Sequence, residues 1–218
     1  MAPATLNETS LAYAESFHPE NEVTAAARAR GHELGCTPIG PAGGATLRLL
    51  AVATGARAVV EVGTGAGVSG LYLLAGMADD GHLVSIDVEG ENQRAAREAY
   101  TEAGVAPARY RLINGSAADV LPRMRDAAYD LVFVDADKGA YAVYHEQAVR
   151  MLRPGGVVAF DNALWHDRVA DPSQRDEETV VIRDLGREIA AHDSLVPMLL
   201  PVGDGLLVAK KEWAGDEA

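Results

Sequence analysis

The sequence predicts an α/β fold built on a mostly parallel sheet, and three observations carry that prediction. From residue 56 onward, apolar strand-like runs alternate with helix-like segments, the rhythm of successive β-α units. Four of those runs end in or beside an acid, at Glu61, Asp87, Asp135 and Asp161. The stretch 195–211, "LVPMLLPVGDGLLVAKK", holds two apolar runs around Gly203-Asp204-Gly205, a hairpin that forces one antiparallel strand into the sheet.

Taken in order, residues 1–18 read as a loosely ordered start. A helix follows "HPENE" and runs to Gly35, with Val23, Ala26, Ala27 and Leu34 on its apolar side. Residues 37–44, "TPIGPAGG", form a Pro/Gly loop before a helix over 45–54. The first strand is "ARAVVEV", followed by the glycine-rich "GTGAG" and an apolar helix, "VSGLYLLAGM". "HLVSIDV" is the second strand, and a helix runs from Glu91 to Gly104. "RYRLING" and "YDLVFVD" are the third and fourth strands. A helix carrying Tyr141, Tyr144 and Ala148 stops before "RPGG", and "GVVAFD" is the fifth strand. Val181, Leu185 and Ile189 mark a helix over 179–192. The length suits a single domain over 1–218, with a helical segment over 1–55 and an α/β core over 56–211. Ligands in such a sheet sit beyond the carboxyl ends of the strands, where the four acids gather.

Composition narrows the function. A net charge of −13 works against nucleic acid, whose binding depends on neutralising phosphates. No apolar run reaches membrane-spanning length, and "MAPATLNETSLAYAE" lacks the basic flank and apolar core of a signal peptide. Cys36 is the only cysteine, so no intrachain disulfide forms; a cytoplasmic home is the simplest reading, and Cys36 reads as small apolar filler.

The motifs point to a cofactor. "EVGTGAG", 61–67, has glycines in G-x-G-x-G spacing, a strand-to-helix turn of a kind shared by NAD, FAD and methyl-donor sites. Glu61 stands two residues before the first glycine, a poor place for an acid if a pyrophosphate must dock. S-adenosylmethionine carries an ammonium and a sulfonium and no phosphate, so an acidic rim suits it. Asp87 can accept hydrogen bonds from both ribose hydroxyls, or cap the helix that follows. Ser69, with the free N–H groups of its helix, can hold the methionine carboxylate. The small residues of "NGSAAD", 114–119, leave space for an adenine. Asp161-Asn162 reads either as a turn with a helix cap or as a ligand pair.

"EVGTGAGVSGLYL", "FVDADKGAY", "LRPGG", "DNALWHDRVADP" and "PVGDGLLVAKK", in this order from about Pro38 to Lys211, resemble the cation-dependent class I O-methyltransferases, the group of catechol and caffeoyl-coenzyme A O-methyltransferases. The resemblance implies a Rossmann-like, doubly wound, mostly parallel seven-stranded sheet with a C-terminal antiparallel hairpin strand. It also implies a methyl-donor site lined by Glu61, Gly63, Ser69, Asp87, Ala117, Asp135 and Asp137. Asp135, Asp161 and Asn162 become ligands of a divalent cation, Mg²⁺ first with Mn²⁺ or Ca²⁺ as alternatives, and Lys138 becomes the base. A small phenolic substrate and a homodimer are further expectations of the family, whose N-terminal forty residues help shape the substrate pocket. The chemistry agrees, since carboxylate and amide oxygens are hard ligands. An ammonium beside a divalent cation is disfavoured, which favours the proton-accepting amine.

The resulting expectation is an S-adenosylmethionine-dependent, cation-assisted O-methyltransferase acting on a small aromatic vicinal diol. The alternatives are an NAD-dependent oxidoreductase and a non-catalytic S-adenosylmethionine-binding regulatory protein. His166 reads as a solvent-facing loop histidine, Trp165 as pocket wall or plain packing, Trp213 as peripheral, and Asp204 as a residue of the hairpin turn.

Overall fold

The computed structural model describes residues 7–213. Helices α1 (Glu8–Ser16), α2 (Glu22–Glu33) and α3 (Pro41–Thr54) precede the sheet. The core then runs β1 (Ala58–Val62), α4 (Val68–Gly76), β2 (His82–Asp87), α5 (Gly90–Glu102), β3 (Tyr110–Asn114), α6 (Ala117–Val120), β4 (Tyr129–Val134), α7 (Tyr141–Met151), β5 (Leu152–Phe160), α8 (Glu177–Ala191), β6 (Leu195–Leu200) and β7 (Leu206–Lys211).

The seven strands lie in the order β3-β2-β1-β4-β5-β7-β6. The pairs among β1 to β5 are parallel, and β7 runs antiparallel to both β5 and β6, the consequence expected of the C-terminal hairpin. The chain leaves β1 outward to β2 and β3, then returns to place β4 on the other side. The reversal between β1 and β4 is the switch point at which such sheets open a crevice.

Alternation along each strand explains why these runs are apolar throughout. Val59, Leu131, Phe133 and Ala159 pack with α3, α4 and α5 on one face. Val60, Val62, Val132, Val134 and Phe160 pack with α7 and α8 on the other. A strand covered on both faces needs apolar side chains at both parities.

Three boundaries differ from the sequence reading. α1 forms where a loose start was expected: Asn7 caps it by accepting from the Ser10 amide at 2.9 Å, and none of its residues is buried. Residues 1–6 of that expected start lie outside the described residues. α3 begins inside the expected Pro/Gly loop, because Pro41 occupies the first helical position, where its missing N–H costs nothing. β5 begins at Leu152, so "RPGG" belongs to the strand and accompanies a register irregularity against β4. Among the described residues no helix is long and apolar enough to cross a membrane.

Candidate active site

The carboxyl ends of adjacent strands are tied to one another by backbone hydrogen bonds. Gly63 N–H donates to Ile86 O at 2.9 Å, Asp135 N–H to Val62 O at 2.8 Å, and Asp161 N–H to Val134 O at 3.0 Å. These bonds set the residues after β1, β4 and β5 side by side. Gly63 has φ 94°, and a Cβ there would lie 1.8 Å from the Asp135 carbonyl oxygen. Only glycine lets the two tips meet at the switch point.

Two adjoining cavities open over this line. The first, about 370 Å³, is walled by Gly63, Ser69, Asp87, Asp135, Lys138 and Asn162, with Cys36, Trp165 and His166 closing over them. The second, about 210 Å³, shares Gly63, Asp87 and Asp135 with the first and adds Ala117, Asp137 and Tyr144. Gly63, Ser69, Asp87, Ala117, Asp135 and Asp137 thus all stand on the walls of one or the other of these two adjoining cavities, which together form a crevice.

Glu61 is the exception. It is fully buried and does not reach the cavity wall, so it forms no acidic rim. Strand parity is the reason: Glu61 lies two residues from Val59, on the face that packs under α4. Its carboxyl accepts from Ser69 Oγ at 2.6 Å and from Ser85 Oγ at 2.5 Å. Burial pushes it up to about 7, against the pull of the two hydroxyls, with Asp87 and Asp135 adding to the rise. The Ser69 hydroxyl is correspondingly committed to Glu61, although the residue still lines the cavity.

Asp87 does not cap α5, whose N-cap is Glu89. Its Oδ2 instead accepts from Thr64 N–H (3.0 Å), Gly65 N–H (2.9 Å) and Asn92 Nδ2 (3.2 Å), while Oδ1 accepts from Glu89 N–H (2.9 Å). One carboxylate thus clamps the glycine turn. Asn92 also accepts from Cys36 Sγ at 3.5 Å, and burial pushes that thiol up, with Asp87 and Asp135 contributing. Ala117 is buried at the start of α6, and exposed Asp137 caps the short 3₁₀ turn Lys138–Ala140 by accepting from Gly139 N–H at 3.2 Å.

The other side of the crevice centres on Lys138, which is 8% exposed. Its Nζ donates to Asn162 Oδ1 at 2.6 Å, Tyr141 Oη at 2.7 Å and Asp135 Oδ1 at 3.4 Å. The Tyr141 hydroxyl donates in turn to the Asp161 carbonyl at 3.1 Å. Asp161 is pushed up to about 7, first by burial and then by the Asp135 carboxylate. Asp135 is raised by burial too, against the opposing pull of Lys138. Asp135 and Asn162 line the cavity beside Lys138, whereas Asp161 is buried beneath them and its Oδ1 accepts from the Asn162 N–H at 2.8 Å; carboxylate and amide oxygens of this kind are hard donors. Among the described residues no trio of His, Cys, Asp and Glu gathers as a metal site; this set takes its third oxygen from Asn162.

The loop after β5 has left-handed backbone at Asn162 (φ 59°), Trp165 (50°), His166 (55°) and Asp167 (63°). Non-glycine residues hold such angles only where surroundings impose them. Here the hairpin turn does so. Gly205 O accepts from Ala163 N–H at 2.9 Å, Asp204 O from Leu164 N–H at 2.8 Å, and Asp204 Oδ1 from His166 N–H at 2.6 Å. Asp204 therefore braces the site loop, a role the sequence reading did not give it. His166 is solvent-facing as expected, at 75% side-chain exposure, yet it stands at the cavity mouth stacked on Trp165 (centroids 5.5 Å apart). Trp165 walls the cavity 5.7 Å from Lys138 Nζ, and Trp213 is exposed and remote from this crevice. Tyr141, Asn92 and Asp204 are the site residues that sequence reasoning missed. A lysine three residues before a tyrosine was the available signal for the first.

The sequence profile of the O-methyltransferase family matches residues 9–212. A provisionally named O-methyltransferase of Mycolicibacterium vanbaalenii is 48% identical over 211 residues, covering 97% of this chain and 93% of the relative. Among solved structures, a Corynebacterium glutamicum protein superposes with a TM-score of 0.87 at 31% identity, covering 94% of this chain and 96% of the other. The O-methyltransferase TomG of Streptomyces achromogenes, involved in tomaymycin synthesis and solved with S-adenosylmethionine, gives 0.84 at 28% identity, covering 95% and 97%. With its profile match, its near-full-length relatives and a crevice built at the switch point, this chain belongs to the O-methyltransferase family.

Proposed function

We propose that the protein transfers the methyl group of S-adenosylmethionine to an oxygen of a small aromatic vicinal diol, assisted by a divalent cation. The observation that carries this reading is the placement of Lys138. Its buried ammonium lies 2.6 Å from Asn162 and 3.4 Å from Asp135, in the cavity that the glycine turn also walls. The donor half of the reading draws support from TomG and from a Bacillus cereus O-methyltransferase solved with S-adenosylhomocysteine (26% identical, TM-score 0.83).

Asp87 would meet the ribose hydroxyls, Ala117 and Asp137 would border the adenine, and Ser69 with the first N–H groups of α4 would meet the methionine carboxylate. Asp135, Asp161 and Asn162 would hold the cation, which supplies Lewis-acid polarisation and a template for two adjacent oxygens. Lys138 takes the acceptor hydroxyl's proton at Nζ only as the neutral amine, so its ammonium first releases one proton to solvent. Trp165 and His166 cover the cavity and limit water. One carbon–sulfur bond breaks, one carbon–oxygen bond forms, and opposite charges cancel, so a dry site with fixed placement favours the transfer. Vicinal diols should react on the order of 100-fold faster than matched monophenols, because a lone hydroxyl lacks the second anchor. Assays of both with and without chelator decide it. Equal rates, insensitive to chelator, would show that the acids at 135 and 161 are structural.

A homodimer is the second part of the proposal. Leu49 and Val52 on α3 and Val196, Met198 and Leu199 on the edge strand β6 are exposed, and α3 and β6 both line one groove with Trp213. An apolar edge of this kind favours being covered. Sedimentation should give a dimer that Met198→Asp dissociates; a wild-type monomer at all concentrations refutes it.

A further inference from the structure

A count of protons at Lys138 goes one step beyond the base assignment, on which it rests. A lysine ammonium has three N–H donors and no acceptor. All three have oxygen partners: Asn162 Oδ1, Tyr141 Oη and Asp135 Oδ1. The three partners are not equivalent. Asp135 and Asn162 line the cavity, so their bonds to Nζ change with whatever enters it. Tyr141 stands behind the cavity wall and is fully buried. Its ring packs against Phe160, centroids 5.5 Å apart.

The Tyr141 hydroxyl spends its one proton on the backbone oxygen of Asp161, at 3.1 Å. What it offers Nζ is therefore a lone pair, fixed in direction. That bond depends on a peptide carbonyl and not on the carboxylates of Asp135 and Asp161, so it persists whatever those carboxylates hold. Local structure supplies the pairing. Lys138 opens a 3₁₀ turn and Tyr141 follows it at i+3, the spacing at which 3₁₀ side chains eclipse.

We propose that Tyr141 is the positioning residue for Lys138: its hydroxyl, oriented by the Asp161 carbonyl, holds Nζ at the cavity floor when the contacts to Asp135 and Asn162 are given up to the cation. Without it, Nζ would be held only by the two groups assigned to that cation.

Tyr141→Phe keeps the ring and removes the hydroxyl. Single-turnover methyl transfer should fall on the order of 100-fold. Calorimetric affinity for S-adenosylhomocysteine and the near-ultraviolet circular dichroism should stay as in the wild type. The deciding comparison is a double-mutant cycle. In a Lys138→Ala background, adding Tyr141→Phe should leave the residual rate unchanged, because the residue it acts through is gone. An equal further loss in that background would overturn the proposal in favour of a packing role. An unaltered rate for Tyr141→Phe beside an inactive Lys138→Ala also overturns it, while leaving the base in place. Full activity of Lys138→Ala removes the base assignment itself.

Discussion

The two sides of the crevice hold their carboxyl groups in opposite ways. On the side of β1 and β2, Glu61 rests on two serine hydroxyls, and Asp87 on three backbone N–H groups and an amide. On the side of β4 and β5, Asp135 faces a lysine ammonium at 3.4 Å, and Asp161 accepts from the Asn162 N–H and feels the same lysine. The first side is organised by fixed dipoles and is complete without a ligand. The second sets one ammonium against two carboxyl groups and is joined to a loop with left-handed backbone. Under the proposed function the difference divides the labour: a donor that enters the same way in every turnover would suit the preset cradle, and deprotonating an acceptor would use the side whose charge can be redistributed.

The sharpest way to separate the two sides is to remove the charge from one. Lys138→Ala should cut single-turnover methyl transfer about 1,000-fold, within the range for loss of a general base. Donor affinity, set on the opposite side, should hold in calorimetry. A variant that loses donor binding as much as rate would show that the two sides are not independent.

Gly63 is where the sides touch, so a methyl group there should damage both. Gly63→Ala places Cβ against the Asp135 carbonyl at a φ of 94°. Steric overlap and backbone strain together should cost about 3 kcal/mol of stability by chemical denaturation. Donor binding and turnover should fall together. Native stability with normal donor affinity would mean the switch point tolerates a wider gap than this geometry allows.

Much of this arrangement was legible from residues alone, and the exceptions have physical reasons. Asp135 and Asp161 stand out because apolar runs stop abruptly at them and the fold gathers strand ends, whereas the roles expected of Lys138 and Asn162 come from the family resemblance. Glu61 was misplaced because the reading used its position along the strand and not its parity; two residues from Val59, it had to point under α4. Helix α1 carries no buried residue, so it left no apolar period to detect. Pro41 and its glycine neighbours were read as loop punctuation, although proline also starts helices. The bracing of the loop by Asp204 joins residues 38 positions apart and has no local signature. The fold followed from patterning that every strand repeats, whereas these misses depend on single side chains whose partners lie elsewhere in the chain.

The smallest effect concerns the inner carboxyl. Burial holds Glu61 at about 7 in the folded protein against 4.5 in the unfolded chain. Between those values the unfolded chain releases this proton while the folded protein keeps it. The folded state therefore binds more protons, and stability falls as pH rises through the window. Glu61→Gln keeps the size and an acceptor for one of the serines, and it has no proton to lose. Asp135 and Asp161, raised on the other side, tilt both proteins alike, so the difference between the two stability curves isolates position 61. From pH 4.5 to 6 that difference should change by on the order of 2 kcal/mol in favour of the glutamine protein. Urea denaturation across that range, in chelator, measures it. A flat difference curve would mean that Glu61 ionises in place, leaving both sides of the crevice charged and the contrast between them one of geometry alone. The predicted slope would instead mean that Glu61 keeps its proton in the folded protein at pH values well below 7, so that the contrast between the two sides is one of charge as well as geometry.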